Sequence, residues 1–424
     1  MNQKSYILRG GRVVDPGRGI DAVLDIGICD GRIADPADLA GAEVLDVAGC
    51  VVTPGLVDIH VHLRQPGNNT AETIATGTAA AAAGGFTTIV AMPNTTPAAD
   101  TPGAIELIRK LAEKEGVVKV LPCGCLSKNR AGTEMAGIGG LHAAGVAALS
   151  DDGGCVQDHS LMRHIVEYAN SFGLPILDHC EDACLAAKGV MHEGTWSVLL
   201  GMDGISSASE ELMVARDIIL SRLTGGRIHV QHVSAKESVE LIRQARRQGL
   251  RISGEATPHH IALTDECIKT YDTNYKMNPP LRAEADRQAL IAGLKDGSIT
   301  VIATDHAPHT ATAKQVEFND APFGIVGLET ALPIVLTLLY HDRVLTMPEL
   351  IAKFTTGPAE VLGWADYSLR TGNAADVTVF DPEAEYVIDA ATFKSKSRNT
   401  PFDGMRVKGR VRLTIVDGRI VYEG

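Results

Sequence analysis

Leu56-Val57-Asp58-Ile59-His60-Val61-His62 is a short apolar run rich in β-branched residues, and an alanine-rich helical stretch follows it over 72–83. Thr87-Thr88-Ile89-Val90-Ala91-Met92 repeats the strand, and 102–114 repeats the helix. Outward from this pair the alternation continues. Further candidate strands lie at 117–122, 146–150, 175–179, 227–232, 251–256 and 299–305, with helices at 160–170, 209–223, 235–248 and 287–294. Eight strand-then-helix units between residues 54 and 364 predict an α/β chain built as a (β/α)8 barrel of TIM type. An open doubly wound sheet is the alternative, but no G-x-G-x-x-G follows a candidate strand.

The two ends of the chain are different in character and alike. Segments 6–14, 22–29 and 43–52 near the start, and 375–380, 385–388 and 411–416 near the end, read as short β segments. Asp30-Gly31-Arg32-Ile33 and Asp417-Gly418-Arg419-Ile420 supply matching hairpin turns. We expect 1–53 and 365–424 to join as a small composite β-sandwich domain, with 54–364 forming the barrel between them.

Composition narrows the function classes. The chain has 424 residues, 45% hydrophobic and 21% charged, which is ample for a packed core and excludes a disordered protein. Asp plus Glu (52) exceed Lys plus Arg (39), and the net charge of −13 argues against nucleic acid and anionic membranes as partners. No continuous apolar run reaches the ~18–20 residues of a membrane helix. The start of the chain lacks a signal-like apolar region, and the eight scattered cysteines read as reduced thiols, so a cytoplasmic protein is expected.

The chemistry sits at the strand ends. Alternation along a strand puts His60 and His62 on one face, where both imidazoles can reach one metal ion. His179 ends the fifth candidate strand, His232 the sixth and Asp305 the eighth, while Asp152 follows the fourth by two residues. In a barrel these ends meet on one face. Imidazole and carboxylate are the ligands a catalytic zinc takes, and four His with two Asp can hold two ions with a carboxylate between them. Such a site acidifies water and polarises a carbonyl, which points to hydrolysis of an amide-like bond. Asp305, within Ala303-Thr304-Asp305-His306-Ala307-Pro308-His309, is the candidate to take a proton from the water and pass it to the leaving nitrogen. Arg64, two residues past His62, suits a substrate carboxylate, and Asn94, Asn278 and His309 lie on the same rim. His229 falls out of parity with His232 and is expected to stay outside the site. Residues 309–322 read as a long loop beside the substrate.

Taken together, these segments resemble the dihydroorotases of the cyclic amidohydrolase family. Residues 54–64 look like the family's opening metal motif and residues 303–309 like its closing motif. Lys276-Met277-Asn278-Pro279-Pro280-Leu281-Arg282 looks like its substrate loop. The resemblance implies that His60, His62 and Asp305 hold one zinc and His179 and His232 a second, with Asp152 rather than Asp151 bridging them. It implies that Arg64, Asn94 and His309 hold the substrate carboxylate, that His62 also touches substrate, and that Asn278 and the Phe323-Gly324 backbone contact the ring. Many relatives bridge their metals with a carboxylated lysine after the fourth strand. Residues 147–157 contain no lysine, which fits an aspartate bridge. The implied reaction is the reversible cyclisation of N-carbamoyl-L-aspartate to L-dihydroorotate in pyrimidine synthesis. The implied partners are that small-molecule substrate, a second copy of the chain and aspartate transcarbamoylase. Other cyclic amidases, such as allantoinase or dihydropyrimidinase, and a non-catalytic transcarbamoylase scaffold are the competing readings.

Overall fold

The structure, a computed structural model, describes residues 4–424. Eight parallel strands follow one another in chain order: Leu56–Val61, Phe86–Ala91, Lys119–Gly124, Ala148–Leu149, Ile176–Asp178, Ile228–Val230, Ile252–Ala256 and Val301–Ile302. The ring closes beyond its ladder. His62 N donates to His306 O at 2.9 Å, beside a parallel bridge between Val61 and His306. This is the barrel that the alternation predicts, with several strands shorter than their apolar runs. The fifth and sixth stop before His179 and His232, where the chain turns out of the sheet, and His232 takes a φ of +31°.

Side-chain parity sorts the core. Ile89, Leu149, Ile176 and Ile302 face the surrounding helices, while Val90, Ala148, Leu177 and Val301 form a separate cluster inside the ring. The first helix, Ile74–Ala83, begins at a capping box in which Thr73 and Thr76 exchange side-chain and backbone bonds. Its alanines Ala80, Ala81 and Ala82 are buried, and their small side chains let the helix lie close on the strands.

Both chain ends enter one eight-stranded sheet. Its order runs Arg419–Glu423, Arg406–Val416, Val377–Val387, Val51–Pro54, Tyr6–Asp15, Ile20–Cys29, Arg32–Ala34, with Glu43–Asp46 also paired to Tyr6–Asp15. Val377–Phe380 pair antiparallel with Val51–Pro54, so the end of the chain is stitched to its beginning. Two details depart from the sequence pattern. Residues 43–52 are two strands, because Asp46 Oδ1 accepts the Ala48 N–H and Gly49 turns the chain at a φ of +81°. Segments 375–380 and 385–388 merge into one strand, Val377–Val387, with an irregularity between Asp381 and Glu385 that accommodates Pro382.

The sheet is fastened to the barrel by Thr378, whose Oγ1 donates to Gly85 O at 2.6 Å and accepts from Leu56 N at 3.3 Å. Thr378→Val keeps the shape and removes both bonds. Leu56 N retains Gly85 O as a partner, so chemical denaturation should show a loss of about 1 kcal/mol.

Candidate active site

Six predicted donors come together at the strand ends. His60 Nε2 lies 3.1 Å from Asp152 Oδ1 and 3.5 Å from Asp305 Oδ1. His62 Nε2 lies 3.0 Å from Asp305 Oδ1 and 3.2 Å from Asp152 Oδ2. His179 Nδ1 and His232 Nε2 face each other at 2.8 Å and lie 3.6 Å and 3.8 Å from Asp152 Oδ1. All six side chains are buried. Two overlapping donor groups, His60 with His62 and Asp305, and His60 with Asp152 and His232, have the spacing to hold a metal ion. Two imidazole nitrogens at 2.8 Å with a carboxylate beyond them need a proton or a cation in reach. This all-nitrogen-and-oxygen set suits zinc.

Asp151 turns the other way. Its Oδ1 accepts the Leu126 and Ser127 N–H groups at 2.9 and 3.2 Å, which leaves it a loop tie outside the cluster. Three site residues also sit at positive φ: Arg64 (+58°), His232 (+31°) and Asp305 (+46°). Such backbone costs on the order of 1–3 kcal/mol each and persists where the surroundings impose it.

The electrostatics follow from burial. Desolvation opposes a charge on His60, but Asp152, Asp305 and Glu255 outweigh it and raise its pKa well above the ordinary value. Burial likewise opposes ionisation of Asp305, yet His60 and His62 hold its pKa below the usual carboxylate range. The site keeps its acids ionised only because positive charge is close by.

A cavity of about 360 Å³ opens over the donors, lined by Arg64, Asn94, Asn278, His309, Phe323 and Gly324 together with the His and Asp cluster. Arg64 reaches it without continued strand geometry, since the strand ends at Val61 and Arg64 turns left-handed. Its Nε donates to Pro308 O at 3.2 Å and its Nη2 lies 3.4 Å from His309 Nε2, so neither of these close contacts is a carboxylate. Burial first, then the Arg64 charge, pulls His309 down to about 3, so it is neutral at physiological pH. Asn94 Oδ1 is 2.9 Å from His62 Nδ1 and fixes that ring. His309 Nε2 lies 2.7 Å from Phe323 O, and the Gly324 N–H is donated to Lys276 O at 2.9 Å. Much of this backbone is therefore engaged in holding the cavity wall. Residues 309–322 are not all loop: Thr310 caps a short helical turn, Ala311–Lys314.

Several partners escaped the sequence reading. Glu255 Oε1 holds His60 Nδ1 at 2.6 Å, and its Oε2 holds His229 Nε2 at 3.0 Å. Burial alone would raise Glu255, but His60 and His229 bring it down to about 2. His229 thus belongs to the support of the site, contrary to its parity, because His232 leaves the strand and breaks the count between them. A carboxylate inside the strand Ile252–Ala256 was the signal available for Glu255, since a buried acid needs a partner. Asp58 Oδ1 accepts the His60 and Thr304 N–H groups, and Glu181 Oε2 accepts from Asn278 Nδ2 at 2.8 Å. Asn399, far along the chain, donates to Ala307 O and Gly324 O and accepts the His309 N–H.

Comparison with known proteins fits this geometry. Residues 49–238 match a family model described as dihydro-orotase-like. A dihydroorotase from Pelotomaculum thermopropionicum is 49% identical over 420 residues, 98% of each chain. One from Anaeromyxobacter dehalogenans strain 2CP-C is 50% identical, covering 98% of this chain and 97% of its own. In fold the chain is similar to the solved L-hydantoinase (dihydropyrimidinase) from Arthrobacter aurescens, with a TM-score of 0.88 at 26% identity over 100% of this chain and 96% of that one. With near-complete coverage at this level of identity, the chain belongs to the dihydroorotase family.

Proposed function

We propose that this chain interconverts N-carbamoyl-L-aspartate and L-dihydroorotate, using two zinc ions held by His60, His62, Asp152, His179, His232 and Asp305. The carrying observation is the buried Asp152 carboxylate within 3.1–3.8 Å of four imidazoles, at the floor of a cavity that also presents the Arg64 guanidinium. Family membership supports the same reading. We take 54–364 as the catalytic barrel and 1–53 with 365–424 as its companion β-domain.

When bound, zinc in such a site polarises the amide carbonyl and acidifies water. The chain's own residues do the rest. Arg64, with Asn94 and His309, holds the substrate carboxylate. Asn278 and the Phe323-Gly324 backbone bear on the ring, and His62 touches substrate from the metal side. Asp305, kept ionised by the imidazoles beside it, accepts a proton from the attacking water and delivers it to the departing ring nitrogen. In ring closure the same transfers run in reverse. Glu255 orients His60 through Nδ1, which directs Nε2 at the cluster.

The similarity in fold to a hydantoinase makes ring choice the point to test. Dihydroorotate, hydantoin and allantoin assayed side by side should give turnover with dihydroorotate and at most traces with the other two. The reading also includes a cytoplasmic homodimer and contact with aspartate transcarbamoylase. Leu212, Ile219 and Leu223, exposed along the helix Ser207–Thr224, support a protein partner on that face.

Three substitutions probe the roles. Asp305→Ala should lower kcat by about 10²–10⁴-fold, and near-normal turnover would remove the proton shuttle. Arg64→Met should raise KM for dihydroorotate about 10- to 100-fold with a smaller change in kcat. Glu255→Gln should weaken zinc affinity about 10- to 100-fold in a chelator competition, with the fold retained by circular dichroism.

A further inference from the structure

Two buried ammonium groups stand behind the cavity wall, and the proposed reaction uses neither. Lys276 is 2% exposed and Lys314 6%. Lys276 Nζ donates to Phe318 O and Asn319 O, both at 2.8 Å, and lies 4.7 Å from the Phe323 ring centre. Lys314 Nζ donates to Pro322 O at 2.8 Å, Thr273 O at 2.9 Å and Lys276 O at 3.3 Å. Lys276 O in turn accepts the Gly324 N–H at 2.9 Å, and Lys314 O accepts the Thr273 hydroxyl at 2.6 Å. The two lysines therefore form one knot. It joins three consecutive cavity residues, Pro322, Phe323 and Gly324, to the segment that leads into Asn278.

What surrounds these charges is unusual. Their close partners are main-chain carbonyls and an aromatic face, and the acids Asp320 and Asp272 act only at longer range. Burial, then the Lys276 charge, pulls Lys314 down to about 7, which shows how poorly its charge is solvated. An apolar residue of similar length would fill either site without that cost. An ammonium, however, can hold three carbonyls at once, and no apolar side chain can. Segment 309–324 has only the turn Ala311–Lys314 and a turn onto Glu317 O as backbone bonds within itself, and the lysine donors tie it to its neighbours.

We propose that Lys276 and Lys314 are positioning residues that cross-link segment 309–324 to the Asn278 loop and thereby fix the substrate-facing wall formed by Pro322, Phe323 and Gly324. The inference rests on the proposed function only for its kinetic readout. The strap itself is a property of the substrate-free protein.

The test uses Lys314→Met and Lys276→Met in the full-length, zinc-loaded protein. Hydrogen exchange without substrate should quicken at least about tenfold at Gly324, whose N–H is bonded to Lys276 O, while barrel strands keep their protection. KM for dihydroorotate should rise about tenfold or more, kcat should stay within about threefold, and zinc content should not change. Should Lys314→Met fail to fold, Lys276→Met alone carries the same readouts. Wild-type exchange and KM in the variants would overturn the strap. So would a fall in kcat with KM unchanged. A wild-type protein inactive on dihydroorotate would overturn the proposed reaction instead, and exchange over 309–324 would still decide the strap.

Discussion

The Asp152 carboxylate is buried at the mouth of the barrel within 3.8 Å of nitrogens from His60, His62, His179 and His232. A lone carboxylate moved from water to such a place costs several kcal/mol, and only opposite charge close by offsets that. The imidazoles come from the ends of the first, fifth and sixth strands, and Asp305 from the end of the eighth. Closing the barrel and neutralising the site are thus one problem. The sheet must bring these four strand ends round to one point, and the bond from His62 N to His306 O lies where the ring meets itself.

Around that centre, orientation is set by groups packed behind and beside the imidazoles. Glu255 holds His60 and His229, Asn94 holds His62, and Asp58 ties the His60 and Thr304 backbones together. The bonds to His60 Nδ1 and His62 Nδ1 leave the Nε2 of each ring directed at the cluster. The end of the chain is drawn into the same task. Asn399 grips His309, Ala307 and Gly324, while Glu72 bonds both His306 and Ser395. The sheet built from the two ends is therefore more than an appendage. The connection between Val377–Val387 and Arg406–Val416 braces the cavity wall.

Likeness to a hydantoinase at 26% identity reflects a shared barrel and sheet, and says little about which ring is accepted. That choice belongs to the wall. Under the proposed function, a guanidinium whose close contacts are Pro308 O and a neutral His309 would meet the substrate's anionic group, and a segment held by carbonyl bonds would set how close the ring can come.

Much of this was legible in the chain itself. Strand-then-helix periodicity is a local property, so the eight strands and their order could be read directly, and barrel geometry then predicts that their ends converge. His60, His62, Asp152, His179, His232 and Asp305 were found that way or through family resemblance. The supporting residues were not, for a physical reason. Glu255, His229, Glu181 and Asn399 act through contacts between segments distant in sequence, and nothing local distinguishes a bonded buried carboxylate from any other acid. Parity misjudged His229 because alternation holds only while the strand lasts, and His232 has already left it. The periodic backbone was determined by sequence alone. Which side chains meet across the closed ring was decided by tertiary structure, because closure brings together groups that share no local pattern.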